Sequence, residues 1–570
     1  MVVIFPVYAD TVVAQQGPNP LVFNQAPSSY DGINYLTCYG AERNSGLTWD
    51  SSWGYVGSWD DNTNDYFKWT VSVPAAGTYR VFALIKGSVG TPYKLSVVSN
   101  GATLNFSQSN SNWDKVDAGS ITIPAGTQQL KLVRTTSGGS CSLKSLELIK
   151  DSDYTQISAR QTSFKKDTTW FSNAKYGLMF QYGAWGYPQS GARKTLEQQT
   201  NDFNVTNFVN MVKSTGATYV IWSITWYDYL MSAPIQAVDT IMGNSSLTST
   251  RDLIGEVATA LQAQSIKFGL YYHMGVNQNA AWKAKNQSSV WPDVYGYTTC
   301  IGDRTTFFNN AKSVITDIGN RYGNKLNMFI FDCGSCYYGG PMEEFANAAR
   351  SGNTNRLISF NPATMPRLTE FQDVSFGEGS HGEVVTGSAP VGGNGIFTTG
   401  PEKGLLQQGM FMMEQDWGVY FQNQTINTQI NSSQAISWVQ SAITRRVPLT
   451  FNMMMWENGT VSAQSLSVLT ALKNAVYGGG GTTYYKIKNR TDGKVLNGGG
   501  GTDGSAVTEW SDVSSTNLQW QIIDQGNGYV KIMNRTDGKV LNGGGGTDGY
   551  PVTEWSNVSS PNLEWQQIKI

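Results

Sequence analysis

Charge is scarce in this chain of 570 residues: Asp, Glu, Lys and Arg make up 14% of it, and the formal net charge is -2. No basic stripe is available to neutralise phosphates, which excludes a nucleic-acid partner. No apolar run reaches the roughly 18 residues that a membrane-crossing helix needs, so no membrane partner is expected. Histidine occurs only at His273 and His381, and the five cysteines, Cys38, Cys141, Cys300, Cys333 and Cys336, lack the paired spacing of a zinc site. No metal and no cofactor are expected.

The odd cysteine count leaves two local expectations. Cys38 and Cys141 lie near the ends of the first expected domain, where terminal strands often neighbour each other, so a disulfide between them is expected in an oxidising compartment. Cys333-Gly334-Ser335-Cys336 spells a CxxC outside any thioredoxin-like context and reads as a local disulfide or two thiols.

What the chain has in quantity is Gly (61), Tyr (28), Phe (23) and Trp (18). Aromatic faces stack on the apolar face of a pyranose, and uncharged side chains satisfy its hydroxyls, so an oligo- or polysaccharide partner is expected. Asn-x-Ser/Thr sequons recur at Asn105, Asn204, Asn244, Asn286, Asn423, Asn431, Asn458, Asn489, Asn534 and Asn557, in keeping with a secreted glycoprotein. The opening Met1–Ala9 is apolar without a basic leader and reads as a trimmed signal remnant. Nothing in the sequence sets an oligomeric state.

Three patterns succeed one another. Residues 20–150 read as short alternating strands between Gly, Asn, Ser and Pro turns, the signature of a β-sandwich. Residues 160–478 switch to apolar strands alternating with helical runs such as Asp252–Ser265 and Phe307–Arg321. Candidate strands at 176–182, 218–224, 267–274, 326–332, 357–361, 373–378, 409–414 and 448–454 predict a central (β/α)8-type barrel. Residues 482–570 contain a direct repeat, Asn489–Gly504 recurring at Asn534–Gly549, and predict a two-repeat β-trefoil-like module. Tetraglycine 478–481 reads as a hinge.

Asp332 ends the apolar run Leu326–Asp332, and Glu378 ends Asp373–Glu378. At strand C-termini of one barrel both acids would open on the same mouth. Two facing carboxylates are the minimum equipment for cleaving a glycosidic bond, one as nucleophile or base and the other as proton donor. The bland alternatives are a turn-capping Asp and a loop Glu paired with Arg or Lys. Glu383, and more weakly Glu414, compete with Glu378 for the proton donor. His273 and His381 fall on the same rim as candidate sugar contacts, His381 also as a group tuning Glu378, and Trp417 is a candidate aromatic platform.

The segment Trp170–Pro188, continued by Gly216–Val220, Phe268–Tyr272, Phe331-Asp332 and Trp417–Tyr420, resembles glycoside hydrolase family 29, the α-L-fucosidases. The resemblance implies a retaining exo-acting glycosidase, with Asp332 matching the nucleophile and Glu378 the acid/base. Where the family has His-Trp-Gly, this chain has Gln181-Tyr182-Gly183; where it has His-His-Asp, it has Trp226-Tyr227-Asp228. These exchanged groups, Gln181, Tyr182, Trp226, Tyr227 and Asp228, would contact the sugar and alter which one fits. L-galactose or a D-sugar, perhaps cut internally, is the alternative; an inactive binding protein is the other. Gly40–Trp69 with Pro74–Tyr79 resembles carbohydrate-binding families 6 and 35, which often hold calcium through the residue matching Glu42, although the matching Asp of the last strand is missing here. Leu518-Gln519-Trp520 and Leu563-Glu564-Trp565 resemble the Gln-x-Trp repeat of ricin-type trefoils, of which two units rather than three are present.

Overall fold

In the computed structural model the described residues are 12–15, 21–23, 32–50, 55–60, 64–108, 111–183, 186–225, 230–274, 304–332, 338–361, 367–378, 381–477, 484–525, 529–566 and 568. Two compact units are formed, Met1–Leu472 and Lys473–Ile570.

The first unit opens with two packed, mainly antiparallel sheets of seven and six strands. Tyr66–Val73 buries every second residue, the period-2 pattern that puts one face of a strand on a core. Trp59, Trp69 and Tyr93 lie in that core, and the indole N–H of Trp69 donates to the Thr37 carbonyl at 3.0 Å.

The expected Cys38–Cys141 disulfide is not formed; both are buried thiols. Antiparallel register explains this. Ile33–Thr37 pairs with Cys141–Lys150 so that Thr37 faces Ser145, and the Cys38 N–H bonds Lys144 O at 2.9 Å. Cys141 sits farther along, opposite Trp59. Burial pushes the Cys38 thiol up to about 12, so it stays protonated and unreactive. Cys300, Cys333, Cys336 and the tetraglycine lie outside the described residues. Glu42 is taken up by Lys68 at 2.6 Å and by the Tyr66 hydroxyl at 3.0 Å.

A curled parallel sheet follows, of (β/α)8 type. Its strands, at the eight expected positions, are Tyr176–Phe180, Tyr219–Thr225, Lys267–His273, Met328–Asp332, Leu357–Phe360, Val374–Ser375, Gly409–Met412 and Leu449–Met453. Seven of them form one hydrogen-bonded sheet, with the fifth and seventh at its edges. The short sixth strand bridges toward both sides: Asp373 N–H bonds Ile358 O at 2.8 Å, and Leu406 N–H bonds Asp373 O at 3.0 Å. The first two strands are buried along their whole length, as expected of parallel strands covered on both faces. Helices Val205–Thr215 and Leu253–Ala263 are capped by Asn204 and Asp252, whose side chains accept the N3 amides.

Alternation sorts the side chains. Met179, Tyr219, Ile221, Tyr271, Met328, Ile330, Leu357, Val374 and Phe376 pack in one inner cluster. Gly177 is glycine because a Cβ there would stand 2.4 Å from the Tyr219 ring, whose hydroxyl donates across the sheet to Leu449 O at 2.8 Å.

Sandwich and curled sheet share a polar seam. The Tyr338 hydroxyl, six residues after Asp332, lies 2.7 Å from Ser145 Oγ and donates to Glu147 at 2.8 Å. Glu147 also pairs with Lys115 at 2.6 Å, and Arg160 with Glu343 at 3.1 Å.

The second unit has a five-stranded sheet and a hairpin, Val495–Asn497 with Thr508–Trp510. Its repeats share one anchoring bond: Trp520 Nε1 donates to Leu496 O, and Trp565 Nε1 to Leu541 O, each at 3.0 Å. No helix among the described residues is long and apolar enough to cross a membrane.

Candidate active site

Each inner strand position leads, two residues on, to another side chain on the same face. From Tyr271 this gives His273, from Ile330 Asp332, from Leu357 and Ser359 Asn361, from Phe376 Glu378, and from Met179 Gln181. One polar residue from each of several strand C-termini therefore gathers at one end of the sheet.

Asn361 joins the two acids. Its amide nitrogen donates to Asp332 Oδ1 at 3.0 Å and also to Glu378 Oε2. The other oxygen of Asp332 accepts from the Tyr271 hydroxyl, and His273 Nε2 stands 3.8 Å from it. Donors on both oxygens fix the Asp332 carboxyl group in place.

Glu378 is held from behind by its neighbour. Gly377 N–H donates to Gln408 Oε1 at 2.9 Å, and a Cβ on Gly377 would lie 1.8 Å from the Gln408 carbonyl oxygen. Only glycine lets the two backbones approach this closely. Gln408 is itself fixed by Thr450 Oγ1 at 2.6 Å. Loss of water around Glu378 and the adjacent Asp332 charge push its carboxyl up to about 7, with the Asn361 bond pulling the other way. Glu378 is thus kept ready to hold a proton near neutrality.

The sixth strand owes its position to a buried pair. Asp373 Oδ2 accepts from Arg350 at 2.7 Å and from Ile358 N–H at 2.8 Å, and its Oδ1 from Lys166 N–H at 2.8 Å.

Among the remaining candidates, Gln181 is 3% exposed and its amide atoms make no hydrogen bond among the described residues. Trp417 packs partly buried against the inner cluster, and its carbonyl accepts from Asn452 Nδ2 at 3.0 Å. Tyr182 is a correction. It turns to the opposite face, its ring 4.9 Å from Trp222 and 5.4 Å from Phe203, because neighbours along a strand point oppositely. Glu383 is exposed on the helix His381–Thr386 and does not join the acids. Glu414 is buried elsewhere, accepting from Met454 N–H at 2.9 Å. His381 opens that same helix, its side chain outside the described set; Trp226, Tyr227 and Asp228 lie outside the described residues. Asn361, Tyr271 and Asn452 were not singled out from the sequence; extending the inner-face alternation past Ser359 is the signal that finds Asn361.

A curled parallel sheet with two acids at the C-terminal ends of its strands is the arrangement that glycoside hydrolases use. Comparison with known families is specific: residues 151–356 match the family model Alpha-L-fucosidase, and residues 472–566 match Ricin-type beta-trefoil lectin domain-like. The chain thus carries an alpha-L-fucosidase-family segment and a ricin-type lectin-like segment. It is similar to tissue alpha-L-fucosidase of Bos taurus, 24% identical over 185 residues, which are 27% of this chain and 36% of the relative; the chain spans about a third of that relative's length. Among solved structures, alpha-L-fucosidase AlfC of Lactobacillus casei with its alpha-L-fucose product is 18% identical, covering 54% of this chain and 97% of the other at a TM-score of 0.39. An alpha-L-fucosynthase of Thermotoga maritima is 13% identical, covering 65% and 93% at 0.40.

Proposed function

We propose that the chain is a retaining, exo-acting α-L-glycosidase of fucosidase type, secreted as a glycoprotein and acting on glycans or polysaccharides. In the proposed organisation 20–150 is a carbohydrate-binding-like sandwich, 160–478 the catalytic barrel and 482–570 the lectin-like repeat. The observation that carries the reading is the single amide of Asn361 shared by Asp332 and Glu378. Two oxygens on one nitrogen lie within about 6 Å of each other, which is compatible with the ~5–5.5 Å separation of retaining pairs.

In this mechanism Asp332 attacks the anomeric carbon as the glycosidic bond breaks, and Glu378 gives its proton to the leaving oxygen. The resulting glycosyl ester is then opened by water, whose proton returns to Glu378. Gln181, His273 and Trp417 are the wall against which the sugar is read.

A second reading is the same chemistry on another sugar, such as L-galactose or a D-sugar. The open amide of Gln181, where the resembled family has His, favours it: an unsatisfied buried amide selects for a hydroxyl that can meet it. Trp226, Tyr227 and Asp228 belong to the same proposed wall.

Turnover of a panel of aryl glycosides by wild type, Asp332→Ala and Glu378→Ala tests the reading. Azide should rescue both variants, giving a glycosyl azide of inverted configuration with Asp332→Ala and of retained configuration with Glu378→Ala. Unchanged turnover in either variant would remove its assigned role, and binding of glycans without turnover by the wild type would make this an inactive binding protein.

A further inference from the structure

The loop that leaves the seventh strand of the curled sheet is tied down by its own glutamines. Gln415 Oε1 accepts from Asn427 N–H at 2.7 Å, and its Nε2 donates to Thr425 O at 2.6 Å. Gln424 Oε1 accepts from Tyr420 N–H at 2.6 Å, and Gln422 Nε2 donates to Gly191 O. Between these ties Gln424 N–H bonds Phe421 O at 3.3 Å and closes a four-residue turn. Asn423 stands in that turn at φ 58°, the left-handed region that Asn enters more readily than most side chains. Gln424 is buried, which leaves Phe421, Asn423 and Thr425 exposed around it. Phe421 is 58% exposed, and among the described residues no other phenylalanine is exposed. A braced loop thus holds an uncovered ring in water, against the usual gain from burying one.

Phe421, Asn423 and Thr425 spell a sequon with an aromatic residue two positions before its asparagine. The Asn423 side chain makes no hydrogen bond among the described residues. Other sequons are placed differently. The side-chain nitrogens of Asn244, Asn489 and Asn534 donate to Met242 O, Glu509 and Asn517 O, and Asn534 is 1% exposed, leaving no room for a glycan. Asn204 and Asn431 serve as helix caps. Trp456, two before Asn458, is packed with Val419 and Met454. Trp555, two before Asn557, is exposed, but Asn557 is half-buried and accepts from Lys531 Nζ at 2.8 Å. Asn105 is exposed on Thr103–Ser107 with a threonine two positions before it. The turn at Asn423 therefore joins an unengaged asparagine to an uncovered ring.

We propose that Asn423 carries an N-linked glycan whose first N-acetylglucosamine lies on the Phe421 ring. This rests on the reading of the chain as a secreted glycoprotein. In the transfer the Asn423 side-chain nitrogen bonds to the anomeric carbon of an oligosaccharide carried on a lipid diphosphate. The bond from that carbon to the diphosphate oxygen breaks, the diphosphate keeps the electron pair, and the nitrogen gives up one proton to the transferring enzyme. The product is a bulky, solvated group that a surface turn can hold. Its first pyranose is tethered two residues from the ring, so its apolar face can cover the surface that the polypeptide leaves bare.

The full chain secreted from yeast tests this, with aryl-glycoside turnover as the check that each variant is folded. Peptide mass spectrometry after enzymatic release of glycans, which converts a modified Asn to Asp, should find Asn423 occupied in wild type and unoccupied in Thr425→Ala. With the glycans trimmed to one ¹³C-labelled N-acetylglucosamine, the NMR signals that vanish in Thr425→Ala, and equally in Asn423→Asp, belong to this sugar. They should lie upfield through the ring current of Phe421 and return downfield in Phe421→Leu, while occupancy stays the same. An unmodified Asn423 in a chain that carries glycans elsewhere overturns the proposal and leaves the glycoprotein reading standing. A chain without any glycan overturns both. Occupancy with signals that Phe421→Leu does not move overturns the contact between sugar and ring.

Discussion

Asp332 and Glu378 hang on the same nitrogen of Asn361, at 3.0 Å from the first and in direct hydrogen bond with the second. The two carboxylates are therefore not independent: whatever moves or re-charges one is felt by the other through a shared donor and through their mutual repulsion. Four expectations follow from the geometry around them.

Asn361 positions both acids, and its bond lowers the Glu378 pKa. Replacing it with Ala should reduce kcat by about 10²-fold, an amount comparable to losing one preorganised donor, while the basic limb of the pH–rate profile moves up. A purely structural role would lower the amount of folded enzyme without shifting that limb. Rate profiles of wild type and Asn361→Ala over pH 5–9 decide it.

Glu378, raised to about 7 chiefly by desolvation and next by the Asp332 charge, must hold a proton to act as the acid. Activity should accordingly be retained below about 7 and fall as pH rises through it. Asp332→Asn removes the neighbouring negative charge, so the Glu378 pKa should drop toward its ordinary value in that variant. A ¹³C titration of the Glu378 carboxyl in both proteins reads the shift directly; the same midpoint in the two would contradict it.

At Gly377 an added methyl group meets the Gln408 carbonyl oxygen at 1.8 Å. Gly377→Ala should displace the following Glu378 and cut kcat by two orders of magnitude or so, since about 1 Å of misplacement can have that effect. Substrate affinity, set by the rest of the wall, should change much less. Steady-state kinetics separating kcat from KM measures this.

Asp373 and Arg350 form an ion pair at 2.7 Å with side-chain exposures of 0% and 7%. Asp373→Ala leaves the guanidinium buried beside Phe164 without its counter-charge, so unfolding free energy should fall by about 3–5 kcal/mol. Chemical denaturation of the two proteins is the measurement, and a loss below about 1 kcal/mol would mean that the pair contributes little.

Much of this could be read from the chain alone. The eight strand positions were legible because parallel strands covered on both faces appear as unbroken apolar runs, and the two acids because each terminates such a run. Asn361 was not, since an amide one residue past Phe360 carries no chemical signature until its partners are known. Tyr182 was assigned to the wall beside Gln181, but adjacent residues leave a strand in opposite directions, and only one of the two can face inward. The Cys38–Cys141 bond failed for a related reason: the strands were rightly expected to be neighbours, and their register, unreadable in sequence, places the thiols out of line. Glu383 is separated from Glu378 by the start of a helix that carries it to the surface.

Tyr338, whose hydroxyl sits between Ser145 and Glu147, ties the segment leaving Asp332 to the last strand of the sandwich. Cutting the polypeptide down to residues 160–478 would strip away both hydrogen-bond partners and strand a tyrosine hydroxyl against solvent where a wall had been. The sandwich, which ends at Lys150, is therefore scaffolding for the neighbourhood of Asp332, and engineers who treat it as an optional appendage should expect that neighbourhood to loosen.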